Sequence, residues 1–121
     1  LEHVKNNHKG LIPQQINELI DIKKGMNEYI KVISEVIVSK NFNKIDSIGN
    51  TQQDLLKMID SVRKNQIKRI KKAETGTKNS MLFLNILQES KNLVLFMLNM
   101  LKSYRDFVIY DNKINGNTSA N

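Results

Sequence analysis

Cysteine and tryptophan are absent from this 121-residue chain, proline occurs once and glycine five times. Each scarcity removes a class of architecture. Without cysteine there is no disulfide framework and no thiolate metal site, which fits a reducing compartment, with the cytosol as the default. One proline and few glycines supply little of the punctuation that separates short strands, so the expected class is all-α. The histidines, His3 and His8, lie five apart in a polar stretch with no carboxylate cluster beside them, and read as surface residues rather than metal ligands. Long apolar runs are also missing. A membrane-spanning helix needs about 20 predominantly apolar residues, whereas the longest unbroken run, Leu93 to Leu98, is closed by Asn99. No nucleophile elbow, P-loop, zincin or dinucleotide-binding motif occurs, and the acidic residues are dispersed rather than paired, so no catalytic residue is expected.

What the chain does have is basic charge and helical periodicity. Nineteen Lys and Arg against twelve Asp and Glu give a net charge of +7, which favours anionic surroundings without dictating a fold. The length fits one domain with a modest core. The start at Leu1 reads as a piece of a longer polypeptide, with residues 1–11 a polar linker, 12–111 the folded domain and 112–121 a disordered tail ending in Asn115-Gly116-Asn117-Thr118-Ser119-Ala120-Asn121.

Three helices are expected. The first runs from about Pro13, a favoured first-turn position, to about Lys40. Its seam is Ile12, Ile16, Leu19, Met26, Ile30, Ile33 and Ile37, widened by Ile22, Tyr29 and Val36. Asn41-Phe42-Asn43 makes a turn, with Asn43 as cap and Asp46 in the first turn of helix 2. Helix 2 carries Ile45, Ile48, Leu55, Ile59, Val62 and Ile70, continues through Gly49-Asn50 and ends near Glu74, with Gly76 as left-handed terminator and Thr77 as the cap of helix 3. Helix 3 is apolar on two neighbouring stripes, which requires more than one covering partner. Short connections between long helices give an antiparallel up-down-up three-helix bundle.

Four groups of residues are candidates for function. The Leu93–Leu98 run, with Leu93, Leu95, Phe96 and Met97 as interface residues, calls for burial against a second copy or another domain. Asn85, Glu89 and Asn92 place oxygen and amide groups on one face and are metal candidates for a hard cation, with a hydrogen-bonded polar strip as the plainer alternative. Asp21, Glu28 and Glu35 recur every seven residues and read as a solvated edge. Arg63, Lys64, Lys68, Arg69, Lys71 and Lys72 are six cations in ten residues. That exceeds what a helix C-terminus needs and suits an anionic lipid surface or an acidic protein partner. Nucleic acid ranks lower, because no aromatic residue interleaves the cations for base stacking.

The segment Val62-Arg63-Lys64-Asn65-Gln66-Ile67-Lys68-Arg69-Ile70, a glycine turn, and Asn79-Ser80-Met81-Leu82-Phe83-Leu84-Asn85-Ile86-Leu87 resembles the second and third helices of a PhoU-like domain. More particularly, it is similar to the cytoplasmic C-terminal domain that follows the membrane region of bacterial sodium/phosphate cotransporters, over about residues 14–110. The resemblance implies a PhoU-like three-helix fold and a non-catalytic regulatory or assembly role in phosphate uptake. It also implies an upstream transmembrane region of the same polypeptide as partner and a place on the cytoplasmic face of the inner membrane. The family's third helix carries a Glu-x-x-x-Asp-His-x-x-Asn signature that helps bind metal clusters. With Asn99 on its asparagine, Lys91, Leu95 and Phe96 occupy the Glu, Asp and His positions, so the resemblance carries over Asn99 and implies that the metal site is lost. A shifted register sets Asn85 and Glu89 on the acidic pair and leaves Asn99 unmatched. No cofactor is expected. The alternative to the transporter reading is a free-standing dimeric helical adaptor that grips an acidic partner or an anionic membrane.

Overall fold

The computed structural model of the chain describes residues 10–120, with side chains through residue 116. Helix α1 spans Pro13–Ser39, a 3-10 turn follows at Phe42–Lys44, α2 spans Ile45–Lys71 and α3 spans Thr77–Ala120. No strand occurs among the described residues, and the three helices pack against one another around one core. Most of the expected linker, His3 and His8 included, lies outside the described residues.

Helix boundaries follow from local chemistry, not always the chemistry expected. Pro13 does open α1, and Gln15 turns back so that its Oε1 accepts the Ile12 N–H at 3.0 Å. Lys40 then closes the helix in a left-handed conformation (φ 59°), donating its N–H to the Val36 carbonyl. Asn43 is not the cap of α2. It lies inside the 3-10 turn, whose Phe42 carbonyl takes the first N–H of the helix, at Ile45, so no side-chain cap is needed there. Helix α2 runs unbroken through Gly49-Asn50, as expected. It stops at Lys71, before Glu74, because Ala73 turns left-handed (φ 56°) and sends its N–H to Ile70 while Glu74 donates to Arg69. This pair of bonds is a Schellman ending with alanine where glycine is usual. Gly76 is therefore not the terminator: its carbonyl accepts the Ser80 N–H and opens α3, which makes Thr77 the first helical residue rather than a cap. Past the expected domain end at 111, α3 continues through residues 112–120 of the expected tail. No proline stops it, and Asn115 bonds Asp111 one turn back.

The core has a strict period. In α2 the buried residues are Ile45, Ile48, Gln52, Leu55, Ile59, Val62, Gln66 and Arg69, alternating steps of three and four throughout. Such a seam keeps facing its neighbours over the whole helix. In α1, Gln15, Ile22, Tyr29 and Val36 are buried at intervals of seven, with Ile33 beside them. Of the expected α1 seam, Ile33 is buried and Leu19, Met26 and Ile37 pack against the core, but Ile16 is 45% and Ile30 38% exposed, while the expected flank of Ile22, Tyr29 and Val36 is interior. In α3, Ser80, Leu87, Val94, Leu101 and Val108 repeat every seven residues, joined by Phe83 and Leu98.

Close contacts between the helices fix which segments are neighbours. Gln15 near the start of α1 meets Gln66 near the end of α2 and Asn79 at the start of α3. Midway, Tyr29 is fully buried and donates to the Val94 carbonyl of α3 at 2.7 Å. Toward the other end, the Phe42 and Tyr104 rings meet edge to face at 6.0 Å. Gly25 allows α1 and α2 to approach, since a Cβ there would lie 2.9 Å from Leu55 Cδ1.

Two glycines in helices thus differ. At Gly49 a Cβ meets nothing within 4 Å, so Gly49→Ala should raise unfolding free energy by about 1 kcal/mol, the helix-propensity difference. Gly25→Ala should gain less, because the Leu55 contact opposes it. Denaturant melts that ranked the two equally would contradict the close approach.

Burial pushes the Tyr29 phenol above its usual value of 10.0, opposed by the Gln52 side chain and the backbone at Leu98. The unfolded chain therefore ionises first as pH rises. Stability linked to this group is complete below pH 10 and is lost above it. Tyr29→Phe should lower stability at neutral pH by about 1 kcal/mol, one hydrogen bond, and should flatten the decline above pH 10. Parallel wild-type and variant curves across that range would show that Tyr29 is not the group responsible.

Candidate functional site

Polar side chains to which the sequence reading gave no common role make one connected cluster at the end of the bundle where α1 starts. Gln15 and Asn79 exchange two amide hydrogen bonds, Nε2 to Oδ1 at 2.8 Å and Nδ2 to Oε1 at 2.9 Å. Gln15 also donates to Gln66 Oε1 at 2.8 Å, which accepts Arg69 Nε at 2.9 Å as well. Gln66 Nε2 donates to the Thr75 and Ser80 hydroxyls. Arg69 closes on Glu18 with both terminal nitrogens, at 3.3 and 2.5 Å, and its guanidinium lies 5.6 Å from the centre of the Phe83 ring. Asn79 Nδ2 reaches the Gly10 carbonyl, so the segment leading into α1 is tied to the start of α3. No buried side-chain nitrogen or oxygen among the described residues lacks a partner. A fully satisfied network is the condition under which burying polar groups is tolerable.

Arg69 accordingly leaves the basic cluster. The seam position three residues beyond Gln66 puts it inside, 9% exposed, where its charge is committed to Glu18. Arg63, Lys64, Lys68 and Lys71 remain exposed on α2, and Lys72 just past its end. Lys64 pairs with Asp60 at 3.3 Å, but both side chains are more than half exposed, and such pairs contribute little. Lys68, Lys71 and Lys72 sit at the same end of the bundle as Gly10, because Gln66 and Arg69 are bonded to residues of the first turn and a half of α1.

Between α2 and α3 lies a groove of about 530 Å³ lined by Lys57, Asp60, Arg63, Asn85, Gln88 and Lys91 over a floor of Leu56, Ile59, Leu84 and Leu87. Asn85, Glu89 and Asn92 are all exposed; Asn85 lines this groove, and Asn92 accepts a hydrogen bond from Gln88 at 3.0 Å. No group of three or more His, Cys, Asp or Glu is placed to hold a metal ion among the described residues. Asn99 is exposed.

The four residues expected at an interface do not all share one exposed face. Leu93 and Phe96 point outward, 45% and 61% exposed; Leu95 is 37% exposed on another side; Met97 packs against the core. A run of consecutive residues necessarily winds around the helix. Although polar residues recur along it, Thr77–Gly116 is long and apolar enough to cross a membrane by length and composition, with a window of mean hydropathy 1.2 of which 22% is buried. No family model, curated protein or solved structure matches the chain.

The missed residues had one usable signal. Gln15 stands seven before Ile22, and Gln52 and Gln66 fall on the three-four rhythm of α2, so a periodicity search blind to polarity would have found them.

Arg69→Met removes the cation and leaves the Glu18 carboxylate, whose side chain is only 17% exposed, without its partner. The expected cost is about 3 kcal/mol. Glu18→Met combined with Arg69→Met should recover most of that loss. A double variant as unstable as the sum of the singles would mean that the two charges do not act as a pair.

Proposed function

We propose that this chain is a non-catalytic, PhoU-like cytoplasmic domain of a bacterial sodium-dependent phosphate transporter, an antiparallel up-down-up bundle that regulates or assembles the membrane region. The observation that carries the reading is the coincidence of two features at one end of the bundle. The segment entering α1 is bonded there through Gly10 and Asn79, and there too stand the exposed Lys68, Lys71 and Lys72. A linker descending from a transmembrane segment would deliver that end to the headgroup layer, where each cation near an anionic leaflet contributes about 1 kcal/mol. The polar cluster then links the linker to the α2–α3 turn and to all three helices, so a displacement at the membrane is felt by the whole bundle. The partners in this reading are the upstream membrane region, the anionic lipid surface and a second copy of the domain. Asn99 is the family-motif remnant, and no cofactor takes part.

A dimeric adaptor for an acidic partner is the second reading, favoured by the exposed apolar side of α3.

Flotation with vesicles tests the membrane contact. The chain should bind vesicles containing phosphatidylserine and not neutral ones. Lys68, Lys71 and Lys72 changed together to Gln should weaken binding roughly 100-fold, three contributions of about 1 kcal/mol. Equal partition into neutral and anionic vesicles would remove the basic end from the account. The transport role is tested by sodium-dependent phosphate uptake in cells expressing the polypeptide that carries this chain, intact or lacking residues 12–111. Uptake should change in rate or in its response to phosphate supply; identical uptake would reject the reading.

A further inference from the structure

Helix α3 carries a second seam. Leu93, Phe96, Met100, Ser103, Phe107 and Tyr110 alternate steps of three and four, and the five large side chains are 45%, 61%, 40%, 64% and 63% exposed. At 3.6 residues per turn they lie across the helix from Leu87, Val94 and Leu101, which face the core. Neither α1 nor α2 covers them.

We propose that this seam pairs with the same seam of a second copy of the chain, antiparallel, about a twofold axis between Met100 and Ser103. The three-four rhythm is what a facing helix requires, because knobs must keep meeting holes along the contact. An anionic lipid surface would call for cations along the flanks of the stripe, whereas Asp106 and Asp111 flank this one. The paired length, residues 93–110, is about 27 Å. Charge decides the direction. In a parallel pair Asp106 of one chain would face the partner's Asp111, twice over by symmetry. In the antiparallel pair Leu93 meets the partner's Tyr110, Phe96 the partner's Phe107 and Met100 the partner's Ser103. The flanks then bring Asn99 to the partner's Asp106 and Asn92 to the partner's Lys113, amide to charge, with no like charges opposed. A twofold contact of one patch with itself closes at two chains and builds no polymer. Asn99, the remnant left without a metal role, becomes a flanking hydrogen-bonding residue. This deepens the self-association named above without resting on the transporter assignment: molar mass reads the one, phosphate uptake the other.

The test is light scattering of the full chain across micromolar concentrations, with and without neutral vesicles. Wild type should approach twice the monomer mass. Phe96→Glu with Phe107→Glu should move half-dissociation to a concentration at least about 100-fold higher, with an unchanged helical circular dichroism spectrum because both positions are exposed. As the chain has no cysteine, orientation can be read directly: Leu93→Cys chains mixed with Tyr110→Cys chains should give the mixed disulfide. A wild-type monomer at every concentration, vesicle binding through these residues by monomers, a dimer indifferent to the two glutamates, or a Leu93→Cys disulfide between like chains would each overturn the proposal.

Discussion

The amide of Gln66 holds this bundle in register. It accepts from Gln15 on α1 and from Arg69 on its own helix, and it donates to Thr75 in the turn and Ser80 on α3. An apolar seam of equal steps tolerates sliding by one repeat, because one layer of isoleucine and leucine resembles the next. A buried polar layer does not, since any slip strands donors and acceptors away from water. Gln15, Gln66, Asn79, Ser80 and the Arg69–Glu18 pair therefore fix at one end what Ile22, Tyr29, Val94, Leu98 and Leu101 stabilise along the rest. We take the cluster to contribute specificity more than net stability, the role buried polar groups serve in coiled coils.

The second constraint is the surplus of apolar surface on α3. Two helices cover one side of it and leave Leu93, Phe96, Met100, Phe107 and Tyr110 exposed. The self-pairing proposed for that surface would leave the cationic end of α2 unobstructed. The membrane contact and the self-pairing proposed above are compatible because they would use different surfaces.

Helix number, the all-α class and the passage of α2 through Gly49-Asn50 were legible in the sequence, because apolar periodicity over 27 residues outweighs one weak helix former. The α1 interior was read in part: Ile33 and the flank of Ile22, Tyr29 and Val36 are core, but Ile16 and Ile30 were placed on the seam and are exposed. Isoleucines surround that helix, so counting them alone could not separate Ile16 and Ile30 from Ile22 and Tyr29, and the polar Gln15 hid the heptad. The two boundaries around residues 71–77 were misread because glycine was taken as the left-handed residue, where the backbone bonds of Ala73 and Glu74 settle the ending instead. Arg69 looked like one cation among six; only the spacing from Val62 and Gln66 marks it as interior. The metal candidates Asn85, Glu89 and Asn92 share a face, as their spacing requires, but a shared face says nothing of depth, and theirs is exposed.

The central claim is that a buried amide layer joins the three helices, and side-chain hydrogen exchange by NMR tests it most directly. The Nε2 protons of Gln15 and Gln66 should be the slowest of all side-chain amides and should exchange only as fast as the whole domain unfolds, in step with the most protected backbone N–H groups. Exchange of these amides at the rates of exposed Gln53 and Gln88, with the backbone core still protected, would contradict it.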